Sequence, residues 1–151
     1  MNYTTLKKLP SVEEIIQAYP LSIEEHEKIL QDRQEVNAIL EGKDSRLLII
    51  LGPCSAWPNE AVLEYAKRLA HLNKKLRHAL KLVMRVYIQK PRTTKGWTGP
   101  INQPDPFKTP DIEAGMHYTR EMMVKVIKMG LPIADEALFT HNAKGFLELL
   151  S

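Results

Sequence analysis

Residues 47–55, LLIILGPCS, and residues 80–102, LKLVMRVYIQKPRTTKGWTGPIN, decide the reading of this chain. Leu47–Leu51 is an unbroken apolar run, the pattern of a strand buried on both faces. It ends in the tight turn Gly52-Pro53-Cys54-Ser55. A second apolar run, Leu82–Tyr87, carries Arg85 in its middle. Between them Val62, Ala66, Leu69, Leu72, Leu76 and Leu80 recur at helical spacing. Strand, helix, strand predicts a parallel pair joined by a crossover. The thiol of Cys54 then lies at the carboxyl end of one strand. Lys90, Arg92, Thr93 and Thr94 follow the carboxyl end of the next. That edge is where α/β proteins build active sites.

Upstream of this unit, residues 1–10 read as a loose arm, and Ser11 to Ala18 as a short helix closed by Tyr19-Pro20. Ser22 and Glu25 form a capping-box pair, which predicts a helix to about Leu40 with Gly42 as its stop. Downstream, residues 88–110 make a long loop with five prolines. Loops of this length inside a domain are functional or disordered. Asp111 caps a helix whose apolar face is Ile112, Met116, Met123 and Ile127, and Gly130 ends it. Leu131-Pro132-Ile133-Ala134 starts a third strand toward Glu136. A last helix is expected from about His141, carrying Phe146, Leu147 and Leu150.

Composition narrows the class. The chain has 151 residues, 44% hydrophobic, 26% charged, with a net charge of +3. That is ordinary for a globular domain and too mild for a polyanion partner. The basic residues that matter sit in one loop, which suits a small phosphorylated ligand. One cysteine permits no intrachain disulfide and fits a reducing compartment. The start MNYTTLKKLP lacks a signal-peptide core, and no run approaches the roughly 18 apolar residues of a membrane span. A cytoplasmic protein with no nucleic-acid and no membrane partner is expected.

Arg85 is the sharpest chemical clue. A guanidinium in a buried strand needs an anion, because removing it from water unpaired costs several kcal/mol. The anion is either an internal carboxylate or a ligand phosphate or carboxylate. Strand alternation puts Val83, Arg85 and Tyr87 on one face. No acid occurs between Lys81 and Asp105, while Lys90 and Arg92 add cations, which favours an external anion. Lys90-Pro91-Arg92-Thr93-Thr94 supplies cations, hydroxyls and a stiffening proline. A solvated basic loop is the competing reading. Cys54 reads either as a small buried hydrophobe or as a thiolate ligand or nucleophile. No Cys-x-x-Cys or His-x-x-x-His completes a local metal site. Glu136, at the end of the third strand, is either an ordinary loop acid or a carboxylate that orients a lysine or a water. His26, His71, His78 and His117 read as surface residues. Trp57 and Trp97 flank the site loops.

Together GPCS at 52–55, MRVY at 84–87, KPRTT at 90–94, GW-x-G at 96–99 and IN-x-P at 101–104 resemble the class I 3-deoxy-D-arabino-heptulosonate 7-phosphate (DAHP) synthases. These are also called phospho-2-dehydro-3-deoxyheptonate aldolases. The resemblance runs from about Asp44 to Leu138 and more weakly into the N-terminal helices. It implies an α/β fold, the N-terminal part of a (β/α)8 TIM barrel with about three βα units, preceded by a helical extension. Residues 1–44 would be the extension and residues 45–151 the first units of the barrel. It implies condensation of phosphoenolpyruvate with erythrose 4-phosphate to DAHP, the first step of the shikimate route to aromatic amino acids. It also implies release of phosphate and a divalent metal ion.

By motif position the resemblance makes Cys54 a metal ligand, and Arg85 and Lys90 the holders of phosphoenolpyruvate, with Lys90 handling the proton. Lys90, Arg92 and Thr93 would face erythrose 4-phosphate, Thr94 would belong to the same substrate-binding set, and Glu136 would lie near the reacting centre. Departures are visible. Ala56-Trp57-Pro58 follows GPCS in place of an aliphatic residue and His-Asp. Gln89 stands where a glutamate is usual. Asp135-Glu136-Ala137-Leu138-Phe139 stands where the family has Gly-Glu-Phe-Leu-Asp. The remaining family metal ligands, a histidine and two carboxylates, have no counterpart in 151 residues.

The leading expectation is therefore a synthase-family chain that is truncated and inactive alone. It would be a homo-oligomer or associate with a full-length synthase. The alternatives are a shortened, non-catalytic relative acting as an interaction or regulatory subunit, and a small phosphate-binding module.

Overall fold

The computed structural model of the chain describes residues 7–92, 94–136 and 145–151. Capping boxes start the chain's first two helices. Ser11 and Glu14 exchange side-chain and backbone bonds at α1 (Val12–Ala18), and Ser22 and Glu25 do so at α2 (Ile23–Leu40). Each such cap is worth about 1 kcal/mol. Past α2, Gly42 turns the chain with φ +72.

The βα alternation then follows: β1 (Leu47–Leu51), α3 (Asn59–Leu76), β2 (Leu80–Arg85), α4 (Ile112–Lys128) and β3 (Ile133–Ala134). The three strands form one parallel sheet in the order β1-β2-β3. Leu47 pairs with Leu80 at the start of the register, and Arg85 with Ala134 at its end. The ladder continues past β2, where the Val86 N–H donates to Ala134 O at 2.8 Å.

One face of β2 is apolar. Leu82, Met84 and Val86 join Ile133, Val62, Ala66, Met123 and Ile127 in the core beneath α3 and α4. The alternate residues, Lys81, Val83, Arg85 and Tyr87, belong to the other face. At the amino end of that face, α2 closes over Lys81. Lys81 is 6% exposed and bridges Asp32 at 2.5 Å and Glu35 at 2.9 Å. Arg46 extends the network to Glu35 and Asp44. A second fully buried cation, Arg120 of α4, bonds Tyr19 O, Gly145 O and Glu148, which ties α1 and the 3-10 turn Leu147–Leu149 to the core.

Four expectations are corrected. β1 is not buried on both faces: Leu47 and Ile50 are 62% and 55% exposed. β1 is the edge strand of the described sheet, so only Ile49 and Leu51 pack against the core. Leu80 opens β2 rather than extending α3, and Leu72 and Ile112 are exposed, because the packed faces of α3 and α4 are narrower than their apolar periodicity. His117 is half-buried, its ring edge-on to Tyr19 at 5.7 Å. In the last segment Phe146 and Leu149 are buried and Leu147 is exposed. The expected helix start at His141 lies outside the described residues.

Candidate active site

Gly52 lets the two key strands converge. A Cβ there would fall 2.1 Å from Arg85 O, so only glycine permits this approach. The turn after β1 thereby presents its carbonyls to β2. Arg85 Nη2 donates to Gly52 O at 3.0 Å and Pro53 O at 3.1 Å. Its guanidinium lies 5.4 Å from the Tyr87 ring centre. Arg85 Nε is buried without a hydrogen-bond partner. Among the described residues no carboxylate pairs with Arg85, so the internal-carboxylate reading finds no support there.

Lys90 comes from the proline-rich loop, yet it is only 8% exposed. Its Nζ donates to Cys54 O at 2.6 Å, lies 3.7 Å from Cys54 Sγ, and sits 4.9 Å from the Tyr87 ring centre. The loop is ordered by its own backbone bonds, Lys90 N to Thr98 O and Ile101 N to Ile88 O. Gly99, with φ +98, passes so close to Ile88 O that a side chain would collide. For Lys90 the solvated-loop reading fails. For Arg92 and Thr94 it holds: both are exposed, and Arg92 Nε bonds only the loop carbonyl of Trp97. Thr93 lies outside the described residues.

Glu136 reaches the same group through Tyr87, whose hydroxyl donates to Glu136 Oε2. That bond, with Glu136's charge, raises the Tyr87 hydroxyl above its ordinary pKa. Cys54 is exposed at the rim. Trp57 stacks edge-on with Trp97 at 6.3 Å and with Phe107 at 5.9 Å, walling one side. The structure thus gathers Cys54, Arg85, Lys90 and Glu136 at the carboxyl edge of the sheet, and leaves Arg92 and Thr94 outside the cluster.

Two residues went unassigned in the sequence. Tyr87 is the plate beneath both cations and the link to Glu136. Strand alternation placed it on the right face but supplied no role. Asp135 has a buried Oδ1 with no partner, and burial pushes its carboxyl up to about 7. Its visible signal was an acid directly before Glu136 at a strand end.

The family's metal does not fit the described residues alone. No group of three or more His, Cys, Asp or Glu side chains converges among them, and a catalytic divalent site needs about three protein ligands. Cys54 as a ligand needs donors from elsewhere. No helix among the described residues is long and apolar enough to cross a membrane.

Comparisons with known proteins bear on the fold and the family. The model of the DAHP synthetase I family matches residues 19–151. The Tyr-sensitive phospho-2-dehydro-3-deoxyheptonate aldolase of Escherichia coli is 39% identical over the whole chain, which spans 42% of that relative. A phospho-2-dehydro-3-deoxyheptonate aldolase of Corynebacterium glutamicum is 44% identical over 95% of the chain and 39% of its own length. The solved phospho-2-dehydro-3-deoxyheptonate aldolase of Francisella tularensis superposes with a TM-score of 0.92 at 37% identity, covering 99% of this chain and 44% of that one. The chain therefore spans about two fifths of the relatives it matches.

Proposed function

The chain belongs to the DAHP synthetase I family, and on that premise we propose that it carries part of the anion-binding edge of a synthase condensing phosphoenolpyruvate with erythrose 4-phosphate to DAHP. Residues 1–44 form the helical extension in this reading and residues 45–151 the first three βα units of the barrel. The supporting observation is the pair of cations, half-buried Arg85 and buried Lys90, set over Tyr87 at the carboxyl strand ends with no carboxylate partner among the described residues. Such cations are held for an anion that arrives from outside.

In this reading Arg85 and Lys90 bind the phosphate and carboxylate of phosphoenolpyruvate. The Gly52 and Pro53 carbonyls fix Arg85 through Nη2. Lys90, buried beside Cys54 and Tyr87, is the proton-handling group that the family motif implies. Glu136, held by Tyr87, orients the reacting centre. Arg92, Thr93 and Thr94 serve erythrose 4-phosphate in this reading. Cys54 joins a divalent ion together with ligands beyond the described residues. The setting is cytoplasmic, and the partner is a second copy or a full-length synthase.

Purified 151-residue chain tests this. Phosphoenolpyruvate binding that weakens in Arg85→Ala and Lys90→Met, without DAHP formation in the presence of divalent metal, is the expected result. No detectable phosphoenolpyruvate binding would remove the anion site. DAHP formation by the chain alone would overturn the incomplete-site reading. A non-catalytic regulatory subunit stays in play on the same geometry. It is favoured if the chain changes the activity of an added full-length relative.

A further inference from the structure

A second charged cavity, of about 410 Å³, opens at the amino end of the sheet. Lys81 and Asp32, both buried, line it together with Lys28, Gln31 and Glu35 of α2. Asn73, Lys74 and Arg77 line it from the carboxyl end of α3. The volume suits a small molecule, for which sites of about 300–1,000 Å³ are usual. Leu80 is the only apolar side chain in the lining among the described residues, so an apolar ligand has little to bury against. Five cations meet two acids there. Both acids are already paired: Asp32 with Lys28 and Lys81, and Glu35 with Lys81 at 2.9 Å and Arg46 at 2.8 Å. Lys74 and Arg77 are exposed, and their side chains have no partner among the described residues. Arg46 Nη1 donates to Arg77 O at 3.3 Å, which holds the end of α3 beside the network.

We propose that this cavity binds a small, multiply charged oxyanion, a phosphate ester or a polycarboxylate, held by Lys74 and Arg77 of α3 and met from α2 by Lys28. An ammonium has three donors, and Lys28 uses one on Asp32, so it can serve the ligand without leaving its partner. The Gln31 and Asn73 amides add neutral hydrogen bonds from the same two walls. The site is separate from the carboxyl edge. Lys81 and Arg85 lie four residues apart on β2, about 13 Å along the strand. Cations in the last turn of a helix also offset its dipole, which is the competing account of Lys74. Lys75 isolates that effect, because it is exposed in the same turn of α3 and lies outside the lining.

Inorganic pyrophosphate and citrate are the probes, titrated separately into the full chain. Affinity at this site is read from the backbone amide shifts of Gln31, Asn73 and Lys74. Saturable binding of at least one probe is expected, and the tighter of the two identifies phosphate or carboxylate as the preferred group. Lys74→Gln with Arg77→Gln should weaken it by about fivefold or more, and Lys75→Gln by less than about twofold. Lys90→Met, at the other end of the sheet, should leave these shifts and their midpoint unchanged. Equal weakening by Lys75→Gln would mean diffuse attraction to the end of α3, and would overturn the site. Binding of neither probe, or shifts that vanish in Lys90→Met, would overturn it as well. Phosphoenolpyruvate binding that persists in any of these cases leaves the proposed function standing. If the double variant fails to fold, Lys74→Gln alone decides: an affinity equal to that of the parent refutes the assignment.

Discussion

Lys90 Nζ sits 2.6 Å from the carbonyl oxygen of Cys54 and 3.7 Å from its sulfur, so the loop after β2 is fastened to the turn after β1. One cation closes this edge of the sheet and, in the proposed reading, also meets the ligand anion. Lys90→Met keeps the stem and deletes the charge. It should lower phosphoenolpyruvate affinity by about tenfold or more, and lower stability by about 1 kcal/mol through the orphaned carbonyl. Calorimetric titration and a denaturant melt separate the two effects. An unchanged affinity would take Lys90 out of the ligand site.

Gly52→Ala should damage the site and the fold together. Its Cβ would meet Arg85 O at 2.1 Å, and backbone on both sides leaves nothing soft to move. A loss of about 2–4 kcal/mol is expected, as for overpacking against backbone. A crystal structure or amide shifts should show β1 and β2 splayed at their carboxyl ends. A variant with parent stability would mean the two strands do not approach this closely.

Asp32 and Lys81 form a buried pair at the opposite end of the sheet. Breaking it from one side is costly: Lys81→Met leaves the 2%-exposed Asp32 with only the rim residue Lys28, and should destabilise by about 3 kcal/mol or more. The double variant Asp32→Leu with Lys81→Met should recover much of that loss, since two apolar side chains replace two desolvated charges. Equal losses in single and double variants would mean that packing, not charge, fastens α2.

Asp135 also sets a pH dependence of stability. Its folded-state pKa, about 7, lies above the ordinary carboxylate value of 3.8. The neutral form is therefore favoured by folding, and that contribution is complete below pH 3.8. It is lost as pH rises through about 7. Asp135→Asn should abolish this loss, making the variant more stable than the parent above neutrality by a few kcal/mol at most, with solvent screening reducing the gain. Thermal melts from acid to alkaline pH give the answer. A parent–variant difference that does not grow with pH would contradict it.

Leu47 and Ile50 on the β1 edge, with Ile23, Leu30 and Leu40 on α2, expose apolar surface. An open, apolar edge strand promotes association. The 17.3 kDa chain should self-associate at micromolar concentration, and Ile50→Lys should reduce this. Light scattering after size exclusion reports it. A sharp, cooperative melt from a clean monomer would favour a self-contained small domain.

The sequence by itself determined the order of elements from α1 to β3, the Ser22–Glu25 capping box, the parallel βα alternation and the family, because these depend on local pattern and short motifs. Ser22 with Glu25 and the spacing of GPCS to KPRTT each lie within one segment or one crossover. It also named Cys54, Arg85, Lys90 and Glu136, which the fold brings to one edge. Tertiary structure decided what depends on distant neighbours. Arg85 is held by backbone carbonyls rather than a carboxylate, because Gly52 admits the turn after β1 to within bonding distance. Lys90 is buried while Arg92, two residues on, is exposed. β1 is open on one side, since strand burial depends on which strands lie beside it and not on its own apolar run. The charge of Asp135 is likewise set by burial and by Glu136, which no residue pattern expresses; a carboxyl's protonation follows from the groups folded around it.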